Sequence, residues 1–216
     1  PIGIFDSGIG GLTLVRAIKT LLPLENILYF GDTAHLPYGD KSAEAIRGYS
    51  LKISEFLLSQ GCKFILIACN SASSAAYDVI LEEFGHRVAI LNVIDPVVAH
   101  VKNYYAGKKV GLIGTKQTIT SGVYKKLLDE STHQIQLKSL ATPLLAPMIE
   151  KCFSDGDVSY DLIHEYLSHQ ELKNIDALIL GCTHYPLIKK EISEFYKGKV
   201  EIIDSSDIVA SSLRSF

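Results

Sequence analysis

The sequence predicts an α/β fold of two similar lobes, each a mainly parallel sheet flanked by helices, with an active site in the cleft between them. Three observations predict it. Eight short apolar runs alternate with stretches of helical periodicity. Most of the runs are continuous rather than alternating, the pattern of strands covered on both faces. One layout also occurs twice: an apolar strand ending in a cysteine, then small polar residues, then a helix, once from Phe64 to Ser71 and again from Ala177 to His184.

The elements follow in order. Ile2–Phe5 is the first strand, and Asp6-Ser7-Gly8-Ile9-Gly10-Gly11 turns it into a helix. Ile27–Phe30 is the second strand. Ile46, Tyr49, Ile53, Phe56 and Leu57 recur at helical spacing ahead of the third strand, Phe64–Ala68. Val88–Val93 is the fourth. Asp95-Pro96 reads as an N-cap followed by a first-turn proline, and Gly107 stops that helix. Strands over Val110–Ile113, Ile135–Leu140, Ala177–Leu180 and Val200–Ile203 build a second set. Pro186 starts the last clear helix, Ile188, Ile192 and Phe195 form its stripe, and Gly198 ends it. The lobe boundary is expected near Val93–Asp95. The first lobe is then 1–93 together with about 205–216 crossing back to it, and the second is 94–204.

Bulk properties exclude several classes. The 216 residues carry a net charge of −3 and no Lys/Arg-rich block, so no nucleic-acid partner is expected. No apolar run approaches ~18 residues, so no membrane span is expected. Four widely spaced cysteines in a chain of this size do not form a disulfide framework. Together with the lack of a secretory-signal pattern, they point to a reducing cytoplasm.

The chemistry centres on two of those cysteines. In open α/β sheets, ligands bind beyond the carboxyl ends of the strands. Cys69 and Cys182 both stand there, each ahead of an expected helix N-terminus whose N–H groups favour a thiolate. Cys62 and Cys152 lack this setting and read as structural. The glycines of the Asp6–Gly11 turn point to close approach of a ligand, with helix N–H groups available for a small carboxylate. A dinucleotide fingerprint fails because Thr13 holds the place of the third glycine, and a P-loop lysine is absent. Asp6 is either a charge partner for a cysteine or ammonium group, or an N-cap. His184 is placed to bind substrate or to tune the Cys182 thiol. The stretch Pro37-Tyr38-Gly39-Asp40 is either a plain loop or a carboxylate holder through its N–H groups and the Tyr38 hydroxyl. Without a CxxC, an HExxH or a tight His/Asp cluster, no metal is expected.

Four blocks taken together, Asp6–Gly11, Pro37–Gly39, Ala68-Cys69-Asn70-Ser71-Ala72-Ser73 and Gly181-Cys182-Thr183-His184-Tyr185-Pro186, resemble the glutamate racemase family of the aspartate/glutamate racemase superfamily. The match runs in order over nearly the whole chain. It implies a cofactor-free isomerase that interconverts L- and D-glutamate and supplies D-glutamate for peptidoglycan and cell-wall synthesis. Cys69 and Cys182 match the family's catalytic cysteines. The pairs Asp6 and Ser7, Tyr38 and Gly39, Asn70 and Ser71, and Thr183 and His184 match its substrate contacts. Glu150, after Pro147-Met148-Ile149, resembles an acidic residue behind the second cysteine. By the same resemblance Cys69 takes the proton from D-glutamate with help from Asp6. Cys182 takes it from L-glutamate with help from His184 and Glu150. Ser71 departs from the family's usual Thr but keeps the hydroxyl, and the chain ends soon after Ile203-Asp204-Ser205, where family members commonly continue. The expected partners are the small-molecule substrate and a second copy in a homodimer.

Two kinds of alternative remain open at this level. One is another racemase of the superfamily, for aspartate or a related acid. The other departs from racemisation: a cysteine hydrolase with Cys182 as nucleophile and His184 as base, or a two-lobed carboxylate receptor without turnover. A hydrolase needs one nucleophile and a receptor needs no paired thiols, so the duplicated cysteine favours a racemase.

Overall fold

The computed structural model describes residues 1–130, 132–155 and 158–214, with only the backbone at 152–155. The Cys152 side chain therefore lies outside the described residues. The first half runs β1 (Ile2–Asp6), α1 (Leu12–Leu21), β2 (Ile27–Gly31), α2 (Ala43–Ser59), β3 (Phe64–Ile67), α3 (Asn70–Phe84) and β4 (Ala89–Asn92). Helix α4 (Ile94–Tyr104) leads to the second half. That half is β5 (Lys109–Gly114), α5 (Lys116–Thr120), α6 (Val123–Asp129), β6 (Gln136–Ala141), α7 (Leu145–Asp155), α8 (Tyr160–Leu167), β7 (Ala177–Gly181), α9 (Lys189–Phe195), β8 (Glu201–Ile203) and α10 (Ser205–Leu213). Among the described residues no helix is long and apolar enough to cross a membrane.

Among the described residues all eight strands are parallel to their neighbours and form two sheets of the same order, β2-β1-β3-β4 and β6-β5-β7-β8. The two-lobed α/β architecture is the one the sequence predicts. Side-chain alternation along the strands sorts the cores. Ile2, Ile4, Leu66, Ala68, Ala177 and Ile179 point into one cluster shared by both sheets, completed by Val97 and Val101 of α4 and Val209 of α10. Phe5, Ile65, Ile67 and Cys69 point the other way, into a core under α2 and α3. Leu178, Leu180 and Cys182 do the same on the second sheet, with Ile149 and Ile188. The shared cluster fastens the sheets to each other behind the strand ends, and α10 packs against α1 and α4. The two cysteines thus have the same strand parity in the two halves.

One cap differs from expectation. Asp95 is not the N-cap of α4: the helix starts at Ile94, and the Asn92 side chain accepts hydrogen bonds from the N–H groups of Ile94 (2.8 Å) and Asp95 (2.9 Å). Asn92 also donates to the Asp95 carboxylate at 2.8 Å. A side chain at the strand end reaches the orphan donors better than one already inside the first turn. Gly107 and Gly198, expected as helix stops, both take positive φ, +72° and +70°.

Candidate active site

Each cysteine is delivered by its strand. Cys69 follows β3 by two residues and is itself the N-cap of α3. Cys182 follows β7 directly, but no α-helix starts behind it. Tyr185–Ile188 form a 3₁₀ turn instead, with the N–H of Tyr185 bonded to the Cys182 carbonyl and that of Leu187 to the His184 carbonyl. The expected helix N-terminus is therefore present at Cys69 and missing at Cys182, where His184 takes its place electrostatically. The His184 Nδ1 lies 3.6 Å from the Cys182 sulfur, and its Nε2 lies 2.7 Å from Glu150 Oε1.

Both sulfurs line one cavity of about 210 Å³ at the strand ends. Of the residues singled out in the sequence, Ser7, Tyr38, Gly39, Cys69, Asn70, Ser71, Glu150, Cys182, Thr183 and His184 share that lining. Asp6 does not share it. The Asp6 carboxylate is fully buried beneath the cavity, accepting from the N–H groups of Gly8 (3.2 Å) and Gly11 (3.1 Å) and from the Thr183 hydroxyl (3.1 Å). This corrects the reading of the glycine turn as a carboxylate site, because those N–H groups already hold an internal carboxylate. The glycines serve contact between the halves. A Cβ on Gly10 would stand 2.6 Å from Thr183 Oγ1 and 2.7 Å from His184 Nδ1, and one on Gly8 would stand 2.8 Å from Glu150 Oε1. The Tyr38 hydroxyl is likewise engaged, donating to Asp32 at 2.6 Å, so it is not a free carboxylate donor.

Sequence reasoning missed Thr115, which lines the cavity and sits 2.8 Å from the Ser71 hydroxyl. A signal was available. Phe5 pairs with Ile67, two residues before Cys69, and Ile113 pairs with Leu180, two residues before Cys182. Thr115 therefore stands in the second half where Ser7 stands in the first.

The two thiols differ in electrostatics. Burial pushes Cys69 up to about 12, with the Asp6 charge adding to it and the Ala72 N–H and Ser7 hydroxyl only partly opposing. The Cys69 thiol donates to Ser7 Oγ at 3.7 Å. At His184 burial favours the neutral ring, but the hydrogen bonds to Cys182 and Glu150 and the charges of Cys182 and Asp6 prevail and raise it to about 11. Cys69 is thus held as a thiol, and the Cys182 sulfur lies 3.6 Å from a ring held as an imidazolium. Folded Cys69 keeps its proton to about 12, whereas the unfolded thiol loses it near 9.0. That stabilisation is complete below 9.0 and is lost as pH rises through about 12. Thermal denaturation at about pH 8 to 11 should show Tm falling with pH, and falling less in Cys69→Ala. Equal slopes in both proteins would mean that Cys69 is not held as a thiol.

A two-lobed parallel α/β scaffold that brings a thiol from each half to one cavity fits an isomerase acting at an amino-acid carbon. The Asp/Glu/Hydantoin racemase family model matches residues 12–213, and the chain belongs to that family. It is an amino-acid racemase. The glutamate racemase of Aquifex pyrophilus is 42% identical over 215 residues, covering 100% of this chain and 82% of that protein. The crystal structure of glutamate racemase from Francisella tularensis in complex with D-glutamate superposes with a TM-score of 0.90 at 41% identity, over 100% of this chain and 80% of that one. An aspartate racemase homologue from Pyrococcus horikoshii, at 20% identity and a TM-score of 0.67 over 99% of this chain and 97% of that one, shares the fold.

Proposed function

We propose that this chain interconverts L- and D-glutamate by two-base proton transfer between Cys69 and Cys182, without a cofactor. The observation that carries the reading is the unlike pair of sulfurs in one cavity, one held as a thiol and the other beside an imidazolium. From L-glutamate, the Cys182 thiolate takes the α-proton. The electron pair left on Cα delocalises into the α-carboxylate, and the Cys69 thiol delivers its proton from the opposite face. The products are D-glutamate, a Cys69 thiolate and a Cys182 thiol, which is the starting state for the reverse direction. Asn70, Ser71, Ser7 and Thr115 offer side-chain donors to the carboxylates as charge builds there, and Thr183, whose hydroxyl already donates to Asp6, lines the same cavity. Glu150 holds the His184 ring, and Asp6 holds the loop that carries Ser7. Relatives of about 40% identity named glutamate racemase, one solved with D-glutamate, support glutamate over aspartate as substrate. The D-glutamate would serve peptidoglycan synthesis in the cytoplasm.

Incubation of L-glutamate in D₂O, followed by NMR and circular dichroism, tests the reading. At early times the D-glutamate formed should carry deuterium at Cα while the remaining L-glutamate keeps protium, because the returning proton comes from a solvent-exchanged thiol. Product that retains α-protium would contradict transfer through two bases, and an unchanging optical signal would contradict racemisation of glutamate altogether.

A further inference from the structure

Asn70 is 2% exposed and lines the cavity, yet its Nδ2 is buried with no hydrogen-bond partner. A buried amide donor left unpaired costs about 1–3 kcal/mol and calls for an acceptor that arrives later. The other end of the amide is fixed. Tyr124, in the first turn of α6 and 2% exposed, donates its hydroxyl proton to Asn70 Oδ1 at 2.8 Å. A phenol needs an acceptor for its proton, and this is the hydrogen bond its hydroxyl makes. The oxygen of the amide must therefore face Tyr124, which leaves the unpaired nitrogen as the end of this cavity-lining side chain that can meet a ligand. The bond also crosses the molecule, from α6 in the second half to the residue after Cys69 in the first.

We propose that Tyr124 is a positioning residue whose hydroxyl holds the Asn70 amide with Nδ2 aimed into the cavity as a donor to a substrate carboxylate. The role rests on the reading of the cavity as a glutamate site. Without the hydroxyl nothing holds Oδ1 toward Tyr124, and a tenfold loss of affinity corresponds to about one tenth of the protein keeping Nδ2 available to the cavity. The protein then has to reorder the amide each time substrate binds, so the cost falls on binding in both directions.

Steady-state kinetics on Tyr124→Phe test this. KM for L- and D-glutamate should rise about tenfold with kcat within about threefold. In an Asn70→Ala background the same substitution should shift KM less than about twofold, because the two residues act as one unit. A packing role would instead lower Tm and act equally in both backgrounds. Tyr124→Met, which fills similar space without a hydroxyl, carries the same comparison if Tyr124→Phe does not fold. Full additivity, or an unchanged KM in a folded variant while the wild type turns over glutamate normally, overturns the role of Tyr124. Absence of glutamate turnover in the wild type overturns the functional reading instead.

Discussion

Cys69→Ser and Cys182→Ser should each lower kcat at least 10³-fold in both directions. A hydroxyl stays protonated where a thiol can ionise, so each variant lacks either the base or the acid for every turnover. The fold should survive, since serine is slightly smaller and each position sits at a strand end next to polar neighbours. Circular-dichroism assays of both enantiomers, alongside thermal denaturation, would measure this. Near-normal racemisation by either folded variant would refute the two-thiol mechanism. Partial reactions sharpen the comparison. Cys69→Ser keeps the Cys182–His184 pair, so it should still wash the α-proton of L-glutamate into D₂O faster than it forms product. Cys182→Ser should favour washout from D-glutamate.

Gly10→Ala should be nearly as damaging although Gly10 lies outside the cavity lining. The added methyl would meet Thr183 Oγ1 at 2.6 Å and the His184 ring at 2.7–2.8 Å. Both residues are buried, so neither can move aside cheaply. Overpacking of this kind costs about 1–3 kcal/mol. Displacing His184 from Cys182 by about 1 Å is expected to lower kcat/KM about 100-fold. Gly8→Ala should cost less, about tenfold: its methyl would meet Glu150 Oε1 at 2.8 Å, the oxygen that holds His184 Nε2, but the Glu150 side chain is 26% exposed and yields more cheaply than the buried Thr183 and His184. Activity of Gly10→Ala within a few-fold of wild type would mean that the turn does not set the His184 ring.

Most strands were legible because they are short apolar runs, and a run buried on both faces leaves no polar residue to confuse the period; β6, with Gln136, Lys138 and Ser139, is the exception. The paired cysteines were legible for the same reason, since strand ends locate the ligand side of a parallel sheet. What could not be read were contacts between distant segments. The Asp6 carboxylate finds Thr183 across 177 positions of sequence, and nothing local reveals that a residue able to cap its own turn also ties the two halves together. The Tyr38 hydroxyl reaches Asp32 within its own loop, and that pairing depends on how the loop folds. The 3₁₀ turn after Cys182 was misjudged because a proline at a helix start looks alike in either helix type. Thr115 was recoverable, because the repeat that pairs Cys69 with Cys182 also pairs Ser7 with Thr115.

The unlike surroundings of the two sulfurs have a consequence for energy balance. Mirror-image molecules have equal free energies in water, so a catalyst that interconverts them cannot favour either at equilibrium, however lopsided its own interior. For a glutamate racemase the ratio of kcat to KM must then be identical for the two enantiomers. A helix terminus beside one sulfur and an imidazolium beside the other can only redistribute that shared ratio. The enantiomer that needs the rarer proton arrangement binds more weakly and turns over faster by the same factor. The handedness of the protein is thus recorded in how each enantiomer saturates it, and nowhere in the final mixture.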